Sequence, residues 1–255
     1  MADTSAIAAR LKCMPLSPSN PCGPAFTGWP ILIDPENQFG FSSEESFAST
    51  LSKVADTSLF VGGERGCTPS DALNQSVQTM RFQASFACVN AVQNALSGFM
   101  NTVPKLCDPG PVSDAGAVIM CPSLCTTATT TYASVFQSAQ CSPNPSWLAG
   151  KLGTRTSACD TMSAVIQKPI KNQHCLVGIA SDLKYCGFAG KSAGDAFCAA
   201  NPVEECCRFP DSGFDGYKVF DGTQFVYPVA LKAVSSGTKN TKGPDGDYGN
   251  DGKAP

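Results

Sequence analysis

Charge is scarce in this sequence. Asp, Glu, Lys and Arg make up 15% of it, against about a quarter in ordinary soluble domains. Ser, Thr, Ala, Gly and Pro take their place, which suits a secreted or wall-exposed surface. The net charge is −3, so no basic field exists to attract nucleic acid or anionic lipid. Histidine is scarcer still: His174 is the one histidine in 255 residues. It adjoins Cys175 and no G-x-S-x-G elbow precedes it, so serine–histidine chemistry lacks its usual frame. No C-x2-C pair occurs, which removes the close ligand pairs of a zinc site and the spacing of a thioredoxin-like redox motif. Phosphate loops and dinucleotide fingerprints are missing too. No run of 18 apolar residues is present to span a membrane.

The adjacent acidic pairs Glu44-Glu45 and Glu204-Glu205 do not supply a general acid and base either. Side chains one residue apart on a helix do not face each other. The sequence therefore predicts no catalytic residue, no cofactor and no metal. Carboxylates distant in sequence remain able to meet.

Cysteine is what the chain has in excess. There are 14, an even number: Cys13, Cys22, Cys67, Cys88, Cys107, Cys121, Cys125, Cys141, Cys159, Cys175, Cys186, Cys198, Cys206 and Cys207. Full pairing into disulfides in an oxidising compartment is the expectation; a cytosolic protein with free thiols is the alternative. The N-terminus, "MADTSAIAARLKC", lacks an apolar h-region. The expected resolution is a mature segment whose leader has been removed. Localisation is accordingly expected to be extracellular, secreted or on the outer face of the plasma membrane.

Helical periodicity dominates the body. "SSEESFASTLSKVA" opens with Ser42 and carries Glu45 three residues on, a capping-box pattern. Phe47, Leu51 and Val54 follow at helical spacing. A second helix is predicted near 77–98, with Phe82, Phe86, Val89 and Leu96 on one side and Cys88 inside it. A third begins at "CPSLC", residues 121–125. Pro122 belongs in a first turn, where its missing N–H costs nothing. Leu124, Ala128, Tyr132 and Val135 or Phe136 follow on one face. Cys121 and Cys125, four apart, project from the same side. They send two bridges to different places or form one bridge across a turn. Cys141 is expected to clamp the far end. A fourth helix near 147–168 carries Trp147, Leu148, Leu152, Cys159, Met162 and Ile166, weakened by Gly150 and Gly153.

Strand content is expected to be low. "GWPILIDPENQFGF" holds the short apolar run Ile31–Ile33 between prolines, an extended segment or edge strand. Asp221-Gly222, inside "YKVFDGTQFVYPV", signals a C-terminal hairpin. The fold class is thus mainly α: a disulfide-rich helical bundle with a short C-terminal β-hairpin and a minor extended N-terminal segment. Residues 1–232 form the domain. Residues 233–255 are expected to be a disordered Gly/Ser/Asp-rich tail, with too little apolar surface to offset its ordering entropy. Its acidic run lacks the spacing of a calcium loop. Asn74-Gln75-Ser76 is a glycosylation acceptor.

The order of these features resembles a family. Cys13 and Cys22 in a Pro-rich start, the Phe47 helix, Cys67, "RFQASFAC" ending at Cys88, Cys107, "CPSLC" and Cys141 look like the Frizzled-type cysteine-rich domain. The closing "CGFAGKSAGDAFCAANPVEECC" is similar to the end of fungal extracellular cysteine-rich domains of single-pass surface proteins. The chain departs from Frizzled in its extra cysteines and long C-terminal extension, so no ligand-contact residue is carried over. The resemblance implies a non-enzymatic ectodomain for sensing or adhesion, binding an unknown extracellular ligand or protein. A free secreted effector or cell-wall protein fits the same composition, and a secreted hydrolase fits it less well. Ligand contacts are expected from Trp29, Phe39 and Phe41, in the irregular N-terminal segment. The competing reading has these aromatics capping the core.

Overall fold

In the computed structural model, residues 10–36, 41–55, 80–97, 107–108, 119–137, 141, 144–166, 173–188, 190–208 and 216–226 are described. Cys67, Asn74, Phe39 and residues 233–255 lie outside them. The fold is mainly helical and disulfide-rich.

The chain enters as strand β1 (Lys12–Pro15), which pairs antiparallel with β2 (Pro30–Ile33). The "PILI" run is therefore extended, as its sequence predicts, and β1 is its partner. Between the two strands the chain is shaped by buried Asn20. Its amide donates to the carbonyls of Ser17 and Gly23, and its Oδ1 accepts from Cys22 N–H. One side chain thus gives Cys22 N–H its acceptor and adds a second donor to two carbonyls that already accept from Asn20 N–H and Phe26 N–H.

Helix α1 (Glu44–Ala55) and helix α2 (Gln83–Ser97) pack against each other, and α2 also lies on β2. The start of α1 differs from the predicted box by one residue. Ser43, not Ser42, accepts from the N–H of Ser46, and Ser46 Oγ accepts in turn from Ser42 N–H. Glu45 instead accepts from Ser43, which holds its carboxyl below the ordinary value. Phe47 and Leu51 are buried, as their spacing requires.

Strand β3 (Ile119–Met120) leads directly into α3 (Pro122–Phe136). Leu124, Ala128, Tyr132, Val135 and Phe136 form the buried stripe of α3. Helix α4 (Pro145–Ile166) packs on α3. It is followed by β4 (His174–Gly178), the short α5 (Ala180–Leu183), α6 (Lys191–Ala200), a 3-10 turn (Glu205–Arg208), β5 (Gly216–Phe220) and β6 (Phe225–Val226).

A four-stranded sheet in the order β3-β4-β5-β6 forms the second layer. Strands β3 and β4 run parallel, with Ile119 opposite Cys175; the other neighbours are antiparallel. The C-terminal hairpin is present where Asp221-Gly222 predicts it. Asp221 Oδ1 accepts from the N–H groups of Thr223 and Gln224 and so closes the loop. That this hairpin is the outer half of a central sheet was not foreseen by the sequence.

Six bridges are drawn among the described residues: Cys13–Cys107, Cys22–Cys88, Cys121–Cys175, Cys125–Cys159, Cys186–Cys206 and Cys198–Cys207. Cys141 is disulfide-bonded as well, and no described cysteine is free. "CPSLC" therefore sends its two bridges to different places. Cys121 staples the head of α3 to β4, and Cys125 staples its first turn to α4. Cys22 and Cys88 are fully buried, so that bridge is part of the core. No described helix is long and apolar enough to cross a membrane.

Candidate functional site: a cleft beside Arg81

The approach of α2 to β4 fixes one side of the site. Phe82, immediately before α2, and Cys186 both sit at φ 57°, in the left-handed region. L-residues are held there at a cost of about 1–2 kcal/mol only by their surroundings. Here the surroundings are mutual: Phe82 N–H donates to the Gly187 carbonyl at 3.0 Å. Gly187 itself has φ 85°, and a Cβ there would meet Phe82 atoms at 2.8 Å. No residue larger than glycine fits that contact.

Beneath it, Asp182 of α5 is buried and accepts from both the N–H of Ser85 (2.7 Å) and its hydroxyl (2.6 Å). Ser85 Oγ accepts from Ile179 N–H at 3.0 Å. Burial pushes the Asp182 carboxyl up to about 6, against the two Ser85 hydrogen bonds, which lower it. The pair joins α2 to the end of β4. Both residues are closed off from solvent, so the Ser–Asp contact is structural rather than a nucleophile at a surface.

The exposed side of this junction is a cleft of about 330 Å³, at the lower end of the range for small-molecule sites. Arg81 and Phe82 form one wall, and Ser123, Leu124 and Thr127 from the first turns of α3 form another. Val177 of β4 and Lys218 of β5 make the floor. Val203, Glu204 and Cys206, after α6, make the rim. Val203 is 75% exposed, the one large apolar side chain presented so openly among the described residues.

Arg81 organises the cleft. Its Nε donates to the Cys186 carbonyl at 3.0 Å. Its Nη2 lies 3.3 Å from Cys186 Sγ and 3.4 Å from Cys206 Sγ. The guanidinium stands 4.1 Å from the Phe197 ring centroid, 5.0 Å from Phe82 and 5.2 Å from Phe188. Burial lowers its pKa and Glu204 raises it; an arginine stays charged through such shifts. With Arg81 and Lys218 against Glu204, the cleft is predominantly positive inside a chain of negative net charge.

A second buried cation supports the core nearby. Arg155 of α4 lies 3.9 Å from the Phe86 ring and 4.3 Å from Tyr132, and its Nη2 donates to Gln83 Oε1 and the Ala128 carbonyl. Burial lowers its pKa to about 10.

The residues singled out by sequence fall elsewhere. Trp29 is 3% exposed and belongs to the main core, while Phe41 is half-buried with its ring edge-on to Phe47 at 4.7 Å. Trp29 therefore fills the packing role and offers no face to a ligand unless the segment around it moves. His174 is half-buried on β4 with its pKa lowered by burial, and it does not line the cleft. Glu44 accepts from Ser17 and Glu45 from Ser43, so the adjacent carboxylates face different partners. Glu204 reaches the cleft.

Arg81, Arg155, Ser85 and Asp182 escaped sequence reading. Arg81 begins the quoted "RFQASFAC", and its basic–aromatic start is the one signal that pointed there. The Sγ atoms of Cys186, Cys206 and Cys207 lie within 4.8 Å of one another. Three free thiolates so placed would suit a soft metal. Bridged sulfurs carry no thiolate, and the thiolate is the ligand.

No family model, no curated protein and no solved structure matches this chain.

Proposed function

We propose that the chain is a non-enzymatic extracellular cysteine-rich domain: the ligand- or partner-binding ectodomain of a fungal cell-surface sensor or adhesion protein. The observation that carries this reading is the disulfide network. Every described cysteine is bridged, and such density belongs to oxidising compartments. The cleft beside Arg81 supplies a binding site of its own, with a positive interior and an apolar rim at Val203. Its hydroxyls are unassisted by a histidine: Thr127 Oγ1 donates to the Ser123 carbonyl within α3. That favours recognition over turnover.

The test is the location of the full-length gene product. An epitope-tagged copy in its native cell is expected to stain on intact, non-permeabilised cells and to fractionate with the membrane. Release into the medium would replace the ectodomain with a free secreted effector or wall protein. Staining only after permeabilisation would overturn the extracellular reading.

A further inference from the structure

We propose that the Arg81 cleft is an entry site for a small thiol, at which Cys186–Cys206 undergoes exchange and passes the break to Cys198–Cys207. This does not depend on the ectodomain reading; it needs only the oxidised chain.

Three observations converge. First, Cys206 lines the cleft, with 5% of its surface exposed. Cys22–Cys88 is sealed in the core, whereas Cys13 is exposed and Cys198 and Cys207 are half-buried, so it is the adjoining cation and the neighbouring sulfur, not exposure, that single out Cys186–Cys206. Second, Arg81 Nη2 stands 3.3–3.4 Å from both sulfurs of the bridge. A cation there stabilises whichever thiolate departs, and a better-stabilised thiolate leaves faster. Third, Cys186 Sγ lies 3.6 Å from Cys207 Sγ, which belongs to the neighbouring bridge. The departing thiolate is thus already in contact with a second disulfide. Arg81 and Glu204 line the same cleft as Cys206, a cation and a carboxylate that match the carboxylate and ammonium of an amino-acid-derived thiol.

The chemistry balances as follows. An external thiolate attacks Cys206 Sγ. The new mixed disulfide forms, the Cys186–Cys206 bond breaks, and its electron pair stays on Cys186 Sγ beside Arg81. Cys186 thiolate then attacks Cys207 Sγ. Cys186–Cys207 forms, Cys198–Cys207 breaks, and Cys198 leaves as a thiolate that takes a proton from water. A second external thiolate removes the first as its symmetrical disulfide and frees Cys206. Two thiols are oxidised and one protein bridge is reduced. The outcome releases Cys198, and with it α6, from the 3-10 turn that follows.

The experiment uses the intact 255-residue chain, oxidised, with reduced glutathione as the probe. Samples are quenched with an alkylating maleimide at the first detectable opening of any bridge. Peptide mapping with fragmentation between Cys206 and Cys207 reads the result. The expected product carries maleimide on Cys198, glutathione or maleimide on Cys206, and a new Cys186–Cys207 bridge, with Cys22–Cys88 and Cys125–Cys159 intact. Labelling of Cys186 and Cys206 with Cys198–Cys207 preserved would overturn the transfer. First opening at any other bridge, or loss of all bridges together, would overturn the entry site.

Discussion

Burial moves the titration of Asp182 above the ordinary carboxylate range. Its folded value of about 6 stands above the ordinary 3.8. A raised acid contributes stability that is fully present below pH about 4 and is lost as pH rises through about 6. From the size of the shift the loss is on the order of 3 kcal/mol at most. Asp182→Asn removes the titration while keeping an acceptor for Ser85. Chemical unfolding between pH 4 and 7 is expected to show the wild type losing 1–3 kcal/mol relative to the variant as pH rises. A constant difference across that range would rule out the buried, raised carboxyl. The glycines give a sharper pair. Gly187→Ala is expected to cost about 2 kcal/mol or more, because it adds left-handed strain to a 2.8 Å clash with Phe82. Gly153→Ala, in α4 with nothing within 4 Å of the added carbon, is expected to stabilise by about 0.5–1 kcal/mol. Thermal melts of the two read opposite signs.

At the scale of elements, α4 is the least amphipathic long helix described, and two anchors add to the packing of Trp147 on Phe136 and of Met162 in the core. One is Cys125–Cys159; the other is Arg155, wedged between Phe86 and Tyr132. Arg155→Ala removes two ring contacts and leaves the Gln83 carbonyl without its donor, a loss of about 2–3 kcal/mol. Amide exchange within 145–166 is expected to quicken in this variant, with β1–β2 unchanged. Uniform exchange would mean that α4 needs no such anchor. The helices were legible because their apolar residues recur at 3.6: the stripe from Leu124 to Phe136 is buried residue for residue as its spacing requires. The central sheet was not, for a physical reason. Strand β3 is two residues long and β4 five, too short for an alternation pattern. Their parallel pairing joins residues 56 apart, Ile119 with Cys175 and Met120 with Leu176. Nothing local encodes that. Aromatic content likewise could not separate a core indole at Trp29 from a ligand contact, since both ask for the same residue. The cleft was invisible because its walls come from five stretches of chain, and only Arg81's basic–aromatic neighbourhood hinted at it.

Over the whole molecule, bridges reinforce a core that gathers buried side chains from Leu16 to Cys206. Cys13–Cys107 closes a separation of 94 residues and Cys198–Cys207 one of 9. Loop-closure entropy gives these about 5 and about 3 kcal/mol of stabilisation respectively. Against a net stability of about 5–15 kcal/mol for a domain, losing several bridges exceeds the margin. Strong reductant is therefore expected to abolish the cooperative melt. Twelve cysteines fall in the six drawn bridges and Cys141 is bonded too. Peptide mapping of the oxidised chain is expected to recover the six drawn bridges. The most direct measurement of the account is the intact mass of the chain, made in a secretory host, before and after reduction in denaturant. Full oxidation predicts a gain of 14 hydrogen atoms, one for each of the 14 cysteines, and no thiol reactive before reduction. A smaller gain, with two or more thiols already free, would contradict a fully stapled extracellular domain.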